Sequence, residues 1–434
     1  MTDQPTDSMF DYDARPATPQ VVLVGYRASA AGYGIRDFLS RNRVPYEWVE
    51  ADDAERLRGL VDPEQVPADR LPLCVLPDGT RLAPATVEGV AAGLGMVAAP
   101  SLAEYDLAII GAGPAGLAAA VYAASEGLRA VAVEAVAPGG QAGTTSMIEN
   151  YLGFPQGISG SELATRATAQ ARRFGAEVLL ARPLVDIATD GAGYVGRLSD
   201  QTVVRARTML VASGVDWRRL EVPGLDDLLG AGVYYGAGPS EALTCRGSRV
   251  AVVGGGNSAG QAVVRFSRYA SQVTLLVRGP TLDASMSQYL VDQVTRLPNV
   301  QVRTGTEIVE VDADTRLRAL VLSSGDPAPV RLPVDSLFVC IGGVPRTQGL
   351  SRIGLATDDA GYLRTGAVLD RSRGTLDGWP LARPPLPLET NLPGLFAAGD
   401  VRSGSIKRCA AAIGEGSMAV ALVHRRLAEL GAEQ

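Results

Sequence analysis

The chain has 434 residues, 46% hydrophobic and 20% charged, which is enough for two to four domains with packed cores. A formal net charge of -7 and a sequence pI of about 5.1 argue against nucleic acid and anionic membrane as partners. No basic, apolar leader and no run of about 18 uncharged apolar residues occurs, so neither secretion nor membrane insertion is expected. The four cysteines, Cys74, Cys245, Cys340 and Cys409, never form C-x-x-C, which fits a reducing cytoplasm and offers no metal site. The single histidine, His424, falls in the last amphipathic segment and reads as an ordinary helix residue.

Residues 1–18 are polar and acidic and read as a flexible arm. A small module is expected over 19–98. It begins with a strand at Val21–Val24, then a helix from Ala30 to Arg41, then an alternating strand from Val44 to Val49. A strand over Leu71–Leu76 opens on Pro72, a turn follows at Pro77-Asp78-Gly79, and a short helix runs from Thr86 to Leu94.

The organising stretch lies between Tyr105 and Glu134. An apolar strand, Tyr105–Ile110, runs into Gly111-Ala112-Gly113-Pro114-Ala115-Gly116. An alanine-rich helix follows, then a second strand, Ala130–Val133, ending in Glu134. This is strand, G-x-G-x-x-G turn, helix, strand and acid in register, the pattern of a dinucleotide-binding unit. Gly111 permits the turn, Gly113 admits a pyrophosphate, Gly116 lets helix and strand pack closely, and Glu134 suits a ribose diol. Pro138-Gly139-Gly140-Gln141 and Glu149–Pro155 read as loops, Ser161–Phe174 as a helix, and Thr208–Val211 as a strand.

A second unit repeats the first. Strand Val250–Val253 enters Gly254-Gly255-Gly256-Asn257-Ser258-Ala259, a helix follows, and strand Val273–Val277 ends in Arg278. An acid at that position binds a free ribose diol, whereas an arginine suits a 2′-phosphate. The first site therefore reads as FAD-like. The second leans to NADPH, with NADH left open. Strands at Leu337–Ile341 and Leu395–Ala398 follow, the latter reaching Asp400, and a last helix begins near Lys407-Arg408-Cys409-Ala410.

Taken together, GAGPAG, GGQ, ENYLGFP, VASG, GGGNSA and LFAAGD resemble the low-molecular-weight thioredoxin reductases from about Ser101 to Arg426. The resemblance implies an α/β fold: two dinucleotide-binding, Rossmann-like three-layer domains. The FAD domain is discontinuous, over 101–219 and 340–434, and the NAD(P)H domain is inserted at 220–339. By the same resemblance Gly111, Gly113, Ala115, Gly116, Glu134, Gly140, Gln141, Asn150, Asp400, Arg408 and Ala410 contact FAD. Gly254, Gly256, Asn257, Ser258, Ala259 and Arg278 contact the nicotinamide cofactor. Such enzymes are typically homodimers. The module over 19–98 is similar to thioredoxin and glutaredoxin, a small α/β scaffold placed before the two larger domains.

Both dithiols of these relatives are missing. In the small module the C-P-Y-C position reads Ala31-Gly32-Tyr33-Gly34. In the second domain the C-A-T-C-D position reads Gly236-Ala237-Gly238-Pro239-Ser240. The expectation is an FAD-dependent NAD(P)H oxidoreductase that passes electrons to an external small molecule or redox protein without a protein disulfide. Two alternatives stand beside it. One is a thiol–disulfide enzyme using Cys245, with Glu241 as a candidate proton donor near the flavin. The other is a non-catalytic FAD/NAD(P)-binding sensor or scaffold. Since both dinucleotide units lie outside 1–98, removing that module is expected to leave flavin reduction intact.

Overall fold

The computed structural model describes residues 21–26, 29–58, 70–145, 148, 150–191, 193–236, 245–325, 328–369, 376 and 379–432. The expected alternation of apolar strands and amphipathic helices is present throughout, and the fold is α/β.

The first unit contains β1 (Val21–Gly25), α1 (Ala30–Arg41), β2 (Tyr46–Glu50), α2 (Ala54–Leu57), β3 (Leu73–Val75), β4 (Arg81–Leu82) and α3 (Val87–Gly93). Its sheet runs β2-β1-β3-β4, with β1 and β2 parallel and β3 and β4 antiparallel to their neighbours. The Leu71–Pro72 peptide is cis. Ser29 caps α1 by accepting the Gly32 N–H, and Thr86 caps α3 by accepting the Gly89 N–H. Ile35, Phe38 and Leu39 of α1 pack on Leu23, Cys74 and Val90. Ala181, from beyond the first dinucleotide unit, is buried in that same cluster, so this core is shared with the next domain.

That domain is built on β5 (Tyr105–Ile110), α4 (Pro114–Ser125), β6 (Ala130–Val133), α5 (Gly160–Arg173), β7 (Glu177–Leu179), β8 (Leu184–Asp190), β9 (Gly193–Leu198) and β10 (Val203–Val211). The chain leaves it through β11 (Val215–Trp217) and enters the inserted domain: β12 (Val233–Tyr235), β13 (Arg249–Val253), α6 (Asn257–Phe266), β14 (Gln272–Leu276), α7 (Gln288–Arg296) and β15 (Val300–Arg303). A three-stranded meander, β16 (Glu307–Ala313), β17 (Leu317–Ser323) and β18 (Val330–Pro333), precedes β19 (Ser336–Val339). The return passes through β20 (Gly343–Pro345), then β21 (Leu395–Ala397) and α8 (Cys409–Ala432).

The larger sheet runs β7-β6-β5-β10-β9-β8. β10 is long enough to pair with antiparallel β9 over its first half and parallel β21 over its second. Its parallel strands are apolar on both faces, as burial on both sides requires. Leu107, Ile109, Leu210 and Phe396 face α4 and α8, while Ala108, Ile110, Met209 and Val211 face Tyr194, Leu198 and Leu363. The inserted domain has an all-parallel sheet, β12-β19-β13-β14-β15. The outgoing and returning links, β11 and β20, pair antiparallel with each other, which ties the two crossings together.

Candidate active site

β5 runs directly into Gly111, whose φ is +105°. A Cβ there would lie 2.4 Å from the Ala212 carbonyl oxygen at the end of β10, so only glycine lets the two strand ends approach. Gly113 then caps α4, with Pro114 in the first turn and no side chain on the helix end. The leading N–H groups of α4 are thus left for an anion. A Cβ on Gly113 would meet nothing nearer than Gly140 Cα at 3.9 Å. At the end of β6, Glu134 is 5% exposed and accepts the Ala112 N–H at 2.8 Å and the Val136 N–H at 3.0 Å. Two backbone donors fix the carboxylate, and each oxygen keeps a lone pair for a ligand hydroxyl.

These residues open on one cavity of about 780 Å³, a size suited to a large cofactor. Gly111, Gly113, Ala115 and Glu134 form one part of its wall. Gly140, Gln141 and Asn150 form a second, and Asp400, Arg408 and Ala410 a third. Gln141 donates from Nε2 to the Val215 carbonyl at 2.6 Å, tying its loop to the interdomain link. Burial pushes the Asp400 carboxyl up, while nearby Lys407 pulls it back down. Lys407 donates to the Asp400 carbonyl at 2.5 Å and sits 4.3 Å over the Tyr362 ring, where burial lowers its pKa. α8 reaches the cavity because a Gly416 Cβ would lie 2.1 Å from the Ala115 carbonyl oxygen; with no Cβ there, α8 lies directly on the start of α4.

The helix start after the second turn faces the same cavity, although Gly254 and Gly256 of the turn do not line it. Gly256 caps α6, again with no side chain on the helix end. Asn257 and Ser258 at its start line the cavity from the inserted domain, as does Gln261 one turn on. Asn257 Oδ1 accepts the Ser287 N–H at 2.7 Å. An open cradle at Gly113, an uncapped α4, an oriented Glu134 and cavity-lining cations fit a flavin dinucleotide. The second uncapped helix start meets it from the other side.

Comparison with known proteins agrees with this geometry. The family model described as pyridine nucleotide-disulphide oxidoreductase matches residues 105–416. The chain belongs to that family. It is an FAD-dependent pyridine nucleotide oxidoreductase. It is 33% identical over 317 residues to a thioredoxin reductase of Listeria monocytogenes, covering 73% of this chain and 91% of the relative. It is 35% identical over 337 residues to one of Streptomyces coelicolor, covering 76% and 95%. Among solved structures it resembles the Lactococcus lactis thioredoxin reductase in its FR conformation, with TM-score 0.67, 26% identity, and coverage of 75% of this chain and 99% of that one. The T. acidophilum thioredoxin reductase gives TM-score 0.65 at 26% identity, with coverage of 74% of this chain and 98% of that one.

Several residues expected to touch cofactor in this oxidoreductase instead shape the turns. A Gly116 Cβ would lie 1.8 Å from the Gly111 carbonyl oxygen, so Gly116 lies under the first turn and does not line the cavity. Gly254, at φ +144°, fits beneath the second turn, where a Cβ would lie 2.2 Å from the Cys340 carbonyl oxygen. Ala259, in the first turn of α6, is fully buried and does not line the cavity. Arg278 lies just beyond β14 with its side chain 86% exposed, 4.0 Å from Glu307 and outside the cavity wall. Cys245, the candidate thiol, does not reach the cavity: it is 1% exposed and packed in the core of the inserted domain with Phe266 and Phe338. Glu241 and Pro239 fall outside the described residues. His424 lies 3.0 Å from Glu126 and does not line the cavity.

Other residues at the oxidoreductase's site were not anticipated. Trp217, on β11, lines the cavity and covers Gly236. Gly236 has φ +82°, and a Cβ there would lie 2.7 Å from Trp217 Cζ2. Arg346 lines the cavity and donates from Nε to Asp216 at 2.6 Å. Cys340 and Cys409 also line it; burial pushes their thiols up to about 12 and about 11. Among the described residues no cluster suits a metal ion and no helix is long and apolar enough to cross a membrane.

Proposed function

We propose that this oxidoreductase takes reducing equivalents from NADPH and delivers them, through FAD, to an external acceptor without a protein disulfide in between. FAD supplies the two-electron relay between nicotinamide and acceptor. The chain's own residues bind and orient it: the α4 start takes the pyrophosphate, Glu134 the adenosine ribose, and Asp400 a ribityl hydroxyl. Asn257 and Ser258, at the α6 start, hold the nicotinamide dinucleotide on the opposite wall.

The observation that carries the reading is Gly236 beneath Trp217. At the position that the resemblance assigns to the first sulfur, a Cβ would lie 2.7 Å from Trp217 Cζ2, and that indole itself lines the cavity. The thiols that do line the cavity, Cys340 and Cys409, are held protonated by burial, and a thiol rather than a thiolate is a poor nucleophile. Arg278, although exposed and outside the cavity wall, stands just beyond the end of the second unit's second strand, where a cation suits a 2′-phosphate, and so favours NADPH over NADH.

The sheet order β2-β1-β3-β4 and the placement of α1 and α3 support reading residues 19–98 as a thioredoxin-like scaffold. From its lost dithiol position Tyr33 lies 5.9 Å, ring to ring, from Tyr234 on β12, and a Cβ on Gly230 would lie 3.0 Å from Tyr33 Cβ. The test is anaerobic reduction of the purified protein by NADPH, followed by a panel of small-molecule and protein acceptors. Bleaching of the flavin band with reoxidation by non-thiol acceptors, and thioredoxin reduced only at background rate, is the expected result. Rapid reduction of thioredoxin would refute it.

A further inference from the structure

The small N-terminal unit is not a bystander to the flavin site. The last residue of α1, Arg41, donates from Nη2 to the Gly140 carbonyl at 3.1 Å, across 99 positions of sequence. Its neighbour Asn42 donates from Nδ2 to the Val136 carbonyl at 3.2 Å and to the Phe38 carbonyl at 2.9 Å, clasping the end of α1 to the loop that follows Glu134. Arg41 lines the cofactor cavity, with its side chain 21% exposed. Asp37, one turn back, approaches Nη1 at 3.5 Å and steadies the guanidinium.

Gly140 locates this cation against the first turn. A Cβ on Gly140 would lie 3.2 Å from Gly113 Cα, so the Gly140 backbone touches the residue that caps α4. The guanidinium therefore sits beside the uncapped helix start where a dinucleotide's phosphates belong. Two of its nitrogens face Gly140 and Asp37. A planar fork with five donors has others for phosphate oxygens.

We propose that Arg41 is a cofactor-binding residue delivered by the N-terminal unit, and that it pairs with the pyrophosphate of the flavin dinucleotide. This rests on the reading that the cavity takes FAD. It also revises the expectation that residues 1–98 could be removed without consequence for the flavin. Their removal takes away a cation from the phosphate site and uncovers Ala181 and Val136, which pack into the small unit's core.

The experiment uses the full-length chain stripped of flavin, titrated with FAD, ADP and riboflavin by fluorescence and calorimetry. Arg41→Ala should weaken FAD and ADP by a similar factor, about ten- to a hundredfold, the scale of a charge-assisted hydrogen bond. Riboflavin, which has no phosphate, should bind both proteins equally. Arg41→Lys should recover part of the loss, since it restores the charge but not the fork. Far-UV circular dichroism and thermal melting of both variants separate lost binding from lost folding. FAD and ADP affinities within twofold of the parent would overturn the proposal. So would an equal loss for riboflavin, which would mean that Arg41 only holds the two units together. Failure of the unaltered protein to bind FAD at all would instead strike the assignment of the cavity.

Discussion

Replacing Gly236 with alanine tests whether the missing sulfur position is closed by its surroundings. The residue has φ +82°, a conformation that costs an ordinary L-residue about 1–2 kcal/mol. The added Cβ would sit 2.7 Å from Trp217 Cζ2 and 3.1 Å from Cε2, so the indole has to move. Overpacking of this kind costs about 1–3 kcal/mol. The sum, about 2–5 kcal/mol, is read as a shift in urea midpoint, followed by circular dichroism and flavin release to check that unfolding is cooperative. Trp217→Ala in the same chain should return the contact part, about 1–3 kcal/mol, and leave the backbone part, so the double-mutant cycle shows a coupling of that size. If Gly236→Ala lies within about 0.5 kcal/mol of the parent, or the cycle shows no coupling, the reasoning fails. A cysteine at 236 would then fit as well, and the dithiol's absence would say nothing about the space available.

Two further outcomes follow from the site. Arg278→Ala should weaken NADPH by about 1–2 kcal/mol, five- to thirtyfold, discounted for its exposure and for the acid of Glu307 nearby. NADH affinity should hold within twofold, and equal affinity of the parent protein for both cofactors would count against the assignment. Iodoacetamide at pH 8 should label Cys409 on the order of a hundredfold more slowly than a free cysteine. A thiol raised to about 11 is roughly 0.1% thiolate there, against about a quarter for an ordinary one. The rate should keep rising with pH well past 9; a plateau near 8.5 would show an unshifted thiol.

The strands and turns that make the two dinucleotide units could be read directly, because each is a local pattern. Tyr105–Ile110 and Ala130–Val133 stand where the apolar runs put them, and Ala30–Arg41 is a helix at the expected bounds. α4 begins at Pro114, inside the glycine turn itself, where proline in a first helical turn is a start signal. The antiparallel β8–β9 hairpin, the β16–β18 meander and α7 carry short or half-exposed patterns and were not read.

At the site, residues that cluster within one unit were found, whereas those that meet across units were not. Arg41 looks like any cation in the last turn of an amphipathic helix, and its meeting with Gly140 depends on how α1 docks. Trp217 sits on a three-residue strand that pairs with the returning link, too short for any periodicity to mark it. Cys245 attracted notice by its closeness in sequence to position 239, but its side chain is taken up by the core behind β12.

The central claim is that electrons cross this protein without a protein disulfide. An anaerobic dithionite titration of the FAD-loaded chain, followed at the flavin absorption band, tests it most directly. The account predicts full reduction at two electrons per FAD, with no thiolate-to-flavin charge-transfer band on the way. A four-electron end point, falling to two when Cys340 or Cys409 is changed to serine, would contradict it.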